Sequence, residues 1–185
     1  GGQRVLATPG ANSDVPLWIL GSSLYGASLA AALGLPYAFA SHFAPQMLEE
    51  ALHIYRTTFQ PSQWLKEPYA IVAASVVGAD TDEEAAYLRS SQMLAFARLR
   101  TGNPGKLPRP VRDIEAEIAP NVLAQVGQAL AVSASGSPET VKRGLADIVT
   151  RYQPDELMVT GMIHNHAARL RSFEIAAGAL RDLVD

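Results

Sequence analysis

The chain has 185 residues, 48% hydrophobic and 18% charged, with a formal net charge of −3 and a pI near 5.8. A mildly acidic balance without blocks of like charge argues against a nucleic-acid surface or an electrostatic tail. The lack of cysteine excludes disulfides and thiolate metal sites and fits a reducing cytoplasm. The first residues have no apolar core of a secretory signal, and no apolar run reaches the roughly 18 residues that span a bilayer. A soluble cytoplasmic domain with neither nucleic-acid nor membrane partner is therefore expected.

Residues 1–14, rich in Gly, Pro, Asn and Ser, read as a loop. The apolar run 15–20 (VPLWIL) stops at Gly21 and reads as a strand buried on both faces. Residues 25–33 form an Ala- and Leu-rich helix that closes at Gly34, and 35–41 a second strand. Pro45 opens a helix of 3.6-residue apolar spacing that runs to Phe59 and is ended by Pro61. Residues 69–77 (YAIVAASVV) read as a third strand. The run Asp80-Thr81-Asp82-Glu83-Glu84 starts a helix that extends to Thr101, with acceptor side chains suited to its free N–H groups. A breaker-rich loop follows at 102–110, then a helical stretch over 114–134 interrupted by Pro120 and Gly127. Ser137 as N-cap and Pro138 at the first helical position begin another helix to Tyr152. Residues 155–161 are a fourth strand and 165–184 a closing helix.

Alternation of this kind implies right-handed parallel βαβ units, whose ligands bind where strands end. Four loops qualify: 21–26, 41–45, 78–81 and 161–166. The first is the richest. Ser22 and Ser23 follow a buried strand and precede a helix N-terminus, so hydroxyls, free N–H groups and the positive end of a helix dipole converge there. Gly21 and Gly26 permit close backbone approach. This describes an anion site, phosphate above all; the alternative is that Ser22 only caps the helix while the glycines only make a turn.

The run Pro16-Leu17-Trp18-Ile19-Leu20-Gly21-Ser22-Ser23, with its Ala-rich helix and Gly34-Leu35-Pro36, resembles a segment of the bacterial luciferase family of flavin-dependent monooxygenases. The resemblance continues through residues 37–45 (YAFASHFAP), 79–85 (ADTDEEA), 136–141 (GSPETV), 155–160 (DELMVT) and 166–172 (HAARLRS), in order over nearly the whole chain. It implies an α/β fold: a parallel (β/α) half-barrel corresponding to the second half of a TIM (β/α)8 barrel. The single luciferase-like domain would span 1–185, with 102–135 a helical and loop insertion before the last βα unit. It implies that the sequence begins just before the fifth barrel strand. It also implies that Ser22 and Ser23 hold a flavin phosphate, aided by Tyr25 or the Gly26 backbone, and that reduced FMN and O₂ oxidise a small organic substrate. A deazaflavin is the alternative cofactor. A flavin-binding half-barrel without turnover is the alternative function. Unpaired sheet edges and a bare apolar face imply a homo-oligomer or a complementary N-terminal half-barrel as partner.

Other residues are weaker candidates. His42 ends the second strand on the ligand side and suits flavin or substrate contact or acid–base work, or else a structural role beside Ser41. His164 and His166 flank Asn165 after the last strand. A third ligand at suitable spacing is not evident, so they are expected at the rim of the substrate pocket, with no metal site. Asn165 suits a cap, and Asp80 and Asp82 are expected as helix caps rather than a catalytic pair.

Overall fold

The computed structural model describes residues 8–10 and 14–184, so most of the loop expected over 1–14 lies outside the described residues. Strands and helices alternate as β1 (Ile19–Gly21), α1 (Leu24–Leu33), β2 (Tyr37–Phe39), a 3₁₀ turn (Pro45–Met47), α2 (Leu48–Thr58) and β3 (Ala70–Gly78). There follow α3 (Asp82–Arg100), α4 (Ile114–Glu117), α5 (Pro120–Ala129), β4 (Ser133–Gly136), α6 (Pro138–Tyr152), β5 (Glu156–Thr160) and α7 (His166–Val184). All strand pairings are parallel, and β1–β2–β3 is continuous. This is the expected α/β half-barrel. Among the described residues no helix is long and apolar enough to cross a membrane.

β3 organises the sheet. Its odd-numbered residues bond toward β2 and β4: Tyr37 N–H donates to Tyr69 O, Ser75 N–H to Val132 O and Ala79 N–H to Gly136 O. Its even-numbered residues bond toward β5, as when Asp155 N–H donates to Ala70 O. β2 and β4 therefore lie end to end along one edge of β3, opposite residues 70–72 and 75–78 respectively, while β5 occupies the other edge. The gap between β2 and β4 leaves Ala73 without a strand partner on that side. Ser41, fully buried, fills it: its hydroxyl donates to Ala73 O at 2.6 Å and accepts from Ala73 N–H at 3.1 Å. A side chain here replaces a rung of the backbone ladder.

Period-two alternation then sorts the side chains. Tyr37, Phe39, Val72 and Ala74 pack on α1 and α2, while Val76 and Ala134 pack on α6 and α7. On the opposite, inner face, α3 covers only the upper part of β3. Val77 and Ala79 pack on Ala85 and Leu88, and Gln92 donates to the Ser75 hydroxyl at 2.8 Å. Lower down, Leu20 and Met158 stay 73% and 55% exposed. Trp18 lies before β1, 41% exposed, edge-on to Tyr69. Among the described residues β1 pairs only with β2, and β5 only with β3.

Three expectations need correction. The run 15–20, expected as a strand buried on both faces, joins the sheet only from Ile19, and Val15, Leu17 and Leu20 are largely exposed. The helix expected over 114–134 is two short helices, and its end is strand β4. Ser133-Ala134-Ser135-Gly136 lacks the β-branched residues that signal a strand; pairing with β3 decides its conformation. Ser137 precedes α6, but its side chain makes no capping bond. Asp82 from α3 instead accepts the Ser137 N–H at 2.7 Å, which holds its carboxyl below the usual range. Thr81 is the cap of α3.

Ser41→Ala should destabilise the chain by about 1–3 kcal/mol for each Ala73 group left unpaired. Urea denaturation followed by circular dichroism measures this; a loss below about 0.5 kcal/mol, the scatter of ordinary surface changes, would show that the Ser41 rung is dispensable.

Candidate functional site

Two glycines, Gly21 and Gly26, meet across the β1–α1 turn. A Cβ on either glycine would lie 3.8 Å from the other's Cα, and one on Gly26 would also lie 3.5 Å from the Tyr37 ring, ordinary van der Waals distances, so the two residues are in contact without excluding a small side chain. This draws the start of α1 down onto the strand end. Ser23 is the N-cap; its hydroxyl accepts the Gly26 N–H at 3.4 Å. The cap is thus Ser23, and Ser22 stands exposed beside it. The Gly26 N–H is committed to the cap, leaving those of Leu24 and Tyr25 at the helix mouth without a backbone partner. Tyr37 fixes the turn from below, donating to Ser23 O at 3.2 Å. Burial pushes its phenol up to about 12, so it stays a donor.

α2, α3, α4 and α6 each carry Asp or Glu in the first turn, against the positive end of their own dipoles. α1 carries none, and neither do α5 and α7; of these three, α1 is the one whose mouth follows a strand directly and presents two serines. Its dipole faces solvent across two serine hydroxyls, with the Tyr25 ring exposed alongside. That arrangement suits a phosphate group.

His42 follows β2, whose end lies beside the β1–α1 turn, since Phe39 pairs with Gly21 and Ala40 N–H donates to Gly21 O. Its ring sits edge-on to Phe43 at 4.7 Å, its Nδ1 is buried without a partner, and burial lowers its pKa from 6.5. The neutral ring is therefore favoured.

His164 and Asn165 lie elsewhere. They line a cleft of about 660 Å³ at the ends of β3 and β5, against the first turns of α3 and α7. Gly78 is six residues beyond Val72, which pairs with the Phe39 beside Gly21. At the usual rise this is about 20 Å along the strand. Asn165 caps α7, accepting Ala168 N–H at 2.9 Å, and His166 contacts Arg169 at 2.9 Å. Asp80 and Asp82 cap neither their own helix nor each other. Asp80 takes two bonds from Arg171, at 3.0 and 2.8 Å, which ties α7 to the end of β3. The buried Ser172 hydroxyl accepts the Gly78 N–H at 2.8 Å in the same seam. Among the described residues no cluster of His, Asp or Glu could hold a metal.

A parallel α/β half-barrel with its polar loops at the strand ends defines the architectural class. The model of the luciferase-like monooxygenase family matches residues 2–153, and the chain belongs to that family. A luciferase-like monooxygenase of Escherichia coli (strain K12) is 46% identical over 181 residues, covering 98% of this chain and 54% of its own. YvbT of Bacillus subtilis (strain 168), an uncharacterized protein, is 45% identical over 174 residues, 94% of this chain and 52% of its own. The crystal structure of apo-MsnO8 superposes with a TM-score of 0.76 at 30% identity, covering 97% of this chain and 55% of that one. The chain spans about half the length of the curated relatives it matches.

The His42 pKa carries a sign. A histidine with a folded value below 6.5 adds no penalty well above that pH. Its penalty grows as pH falls below 6.5 and is complete below the folded value. His42→Gln should therefore gain stability relative to the parent between about pH 7 and pH 5. Parallel denaturation curves measure the difference; a gap constant with pH would refute the buried neutral ring.

Proposed function

We propose that this chain supplies the flavin-phosphate side of a flavin-dependent monooxygenase that uses reduced FMN and O₂ to oxidise an organic substrate. The supporting observation is the uncompensated N-terminus of α1. Ser22, Ser23 and the Leu24 and Tyr25 N–H groups meet a helix dipole that no acid of its own first turn offsets. The neutral Ser23 cap and the Gly21–Gly26 contact fit a dianionic tail. Bound reduced flavin would supply the electrons for oxygen chemistry, while the chain's residues bind, orient and exclude water. A deazaflavin with a phosphate-bearing tail would meet the same donors. Parallel titrations with FMN and a deazaflavin separate the two.

The uncovered inner face and the edges of β1 and β5, unpaired among the described residues, favour function in a closed barrel. The complement is an N-terminal half-barrel or a second copy of this chain. The lack of cysteine supports action in the cytoplasm. The second reading, a flavin-binding half-barrel without turnover, rests on the same exposed face, where Leu20 and Met158 meet solvent. FMN binding without substrate-linked O₂ uptake would favour it.

Ser23→Asp separates cap from ligand. Asp caps helices as well as Ser, so stability should hold or rise. FMN binding should weaken sharply through like-charge repulsion, while riboflavin, which lacks the phosphate, should bind unchanged. Ser23→Ala should cost FMN binding about 1–3 kcal/mol. Fluorescence titrations measure both; an equal loss for riboflavin would refute the phosphate assignment. Gel filtration with light scattering should find a dimer or a complex with a co-purifying fragment, and a stable, well-dispersed monomer would count against the closed-barrel reading.

A further inference from the structure

The cleft between α3 and α7 contains a cation that the rest of the molecule does not use. Asp80 and Arg171 on its wall neutralise each other. Glu84, also on the wall, sits in the first turn of α3, where the dipole favours its charge. Arg109 has no such compensation: among the described residues its guanidinium makes no ion pair or hydrogen bond.

The backbone of Arg109 is nevertheless held in place. It stands between Pro108 and Pro110, which restrict the backbone on both sides. The next residue, Val111, donates its N–H to the Ser90 hydroxyl of α3 at 2.7 Å. Arg112 lies over the Tyr87 ring at 5.5 Å. The loop is thus strapped to α3 at two points just beyond Arg109. This holds Arg109 and Pro110 against the cleft, opposite Leu88 and Ala168. An unpaired guanidinium carried on a restrained backbone, beside the apolar Leu88 and Ala168, is the recognition chemistry of an amphiphilic carboxylate. The cleft's volume of about 660 Å³ is that of a small-molecule pocket.

We propose that this cleft is the organic-substrate site, and that the substrate class is a carboxylic acid with an apolar body, its carboxylate on Arg109 and its chain against Leu88, Tyr87 and Ala168. The naming of this ligand as the substrate rests on the flavin reading above; the binding itself does not. Its place at the ends of β3 and β5, about 20 Å along the sheet from the β1–α1 turn, leaves the flavin's ring system to lie between them.

The test titrates the ¹⁵N-labelled chain with octanoate and, separately, with octan-1-ol, following the amides of Tyr87, Leu88 and Ala168. Octanoate should shift these resonances saturably and bind about tenfold more tightly than octanol, the ratio expected from one charge-assisted contact at an exposed site. Arg109→Gln should lose that advantage while keeping the parent's melting temperature, and Lys106→Gln, a charge loss in the same loop outside the cleft, should keep it. Equal affinity for octanol, an unchanged Arg109→Gln variant, or no saturable octanoate binding would each overturn the proposal. An FMN titration of the same sample, read at Leu24 and Tyr25, stands apart: FMN bound without octanoate defeats the cleft alone, and octanoate bound without FMN defeats the flavin reading alone.

Discussion

Every strand but β1 pairs with β3, and the parity of its backbone governs the rest of the molecule. Odd-numbered groups serve β2 and then β4, and even-numbered groups serve β5. The same alternation sends even side chains to the outer helices and odd ones to the inner face. A shift of one residue would exchange both sets at once. It would put Val72 and Val76 on the inner face and Ala73 and Ser75 under α1, α2, α6 and α7. Register is therefore tightly specified, and Ser41 completes it where β2 has ended and β4 has not begun.

This architecture was largely legible because parallel strands covered on both sides are continuous apolar runs. Residues 70–78 announce themselves in that way, and so do the helices closed by Gly34 and opened by Thr81. β4 was not legible. It is strand because β3 offers it a ladder, and it is made of small residues because its surroundings leave no space. A Cβ on Gly144 of α6 would come within 3.0 Å of the Ala134 side chain, and Gly136, at φ +150°, lies against Asp82 and Thr140. Tertiary fit overrides local propensity there.

The site was legible to the extent that it depends on chain-local chemistry. A serine pair after a strand and before a helix can be read from order alone, as can the Asn165 cap. The cross-chain uses of the acids could not be read. Asp80 serves Arg171, 91 residues away, and Asp82 serves Ser137, 55 residues away. Both look like local caps until the fold brings α3 against α6 and α7. Arg109 was hidden for another reason. A breaker-rich loop reads as a connection, whereas here its two prolines restrict the backbone of an arginine on the wall of a cleft. The one signal available was a lone arginine between prolines, in a segment otherwise without charge except Lys106.

The uncovered inner face raises an energetic question about how a closed barrel would form. Complete burial of Trp18, Leu20 and Met158 yields at most roughly 5–9 kcal/mol at the usual value per large apolar side chain. Association of separate bodies forfeits an estimated 4–15 kcal/mol of translational and rotational freedom. Those side chains alone therefore leave two separate halves near balance. Net affinity must come from the backbone donors and acceptors along β1 and β5, whose pairing is directional and sets the register of any partner strand. A tether lowers the association term, since the second half then stands at high effective concentration. The relatives, about twice the length of this chain, have room for both halves in one polypeptide.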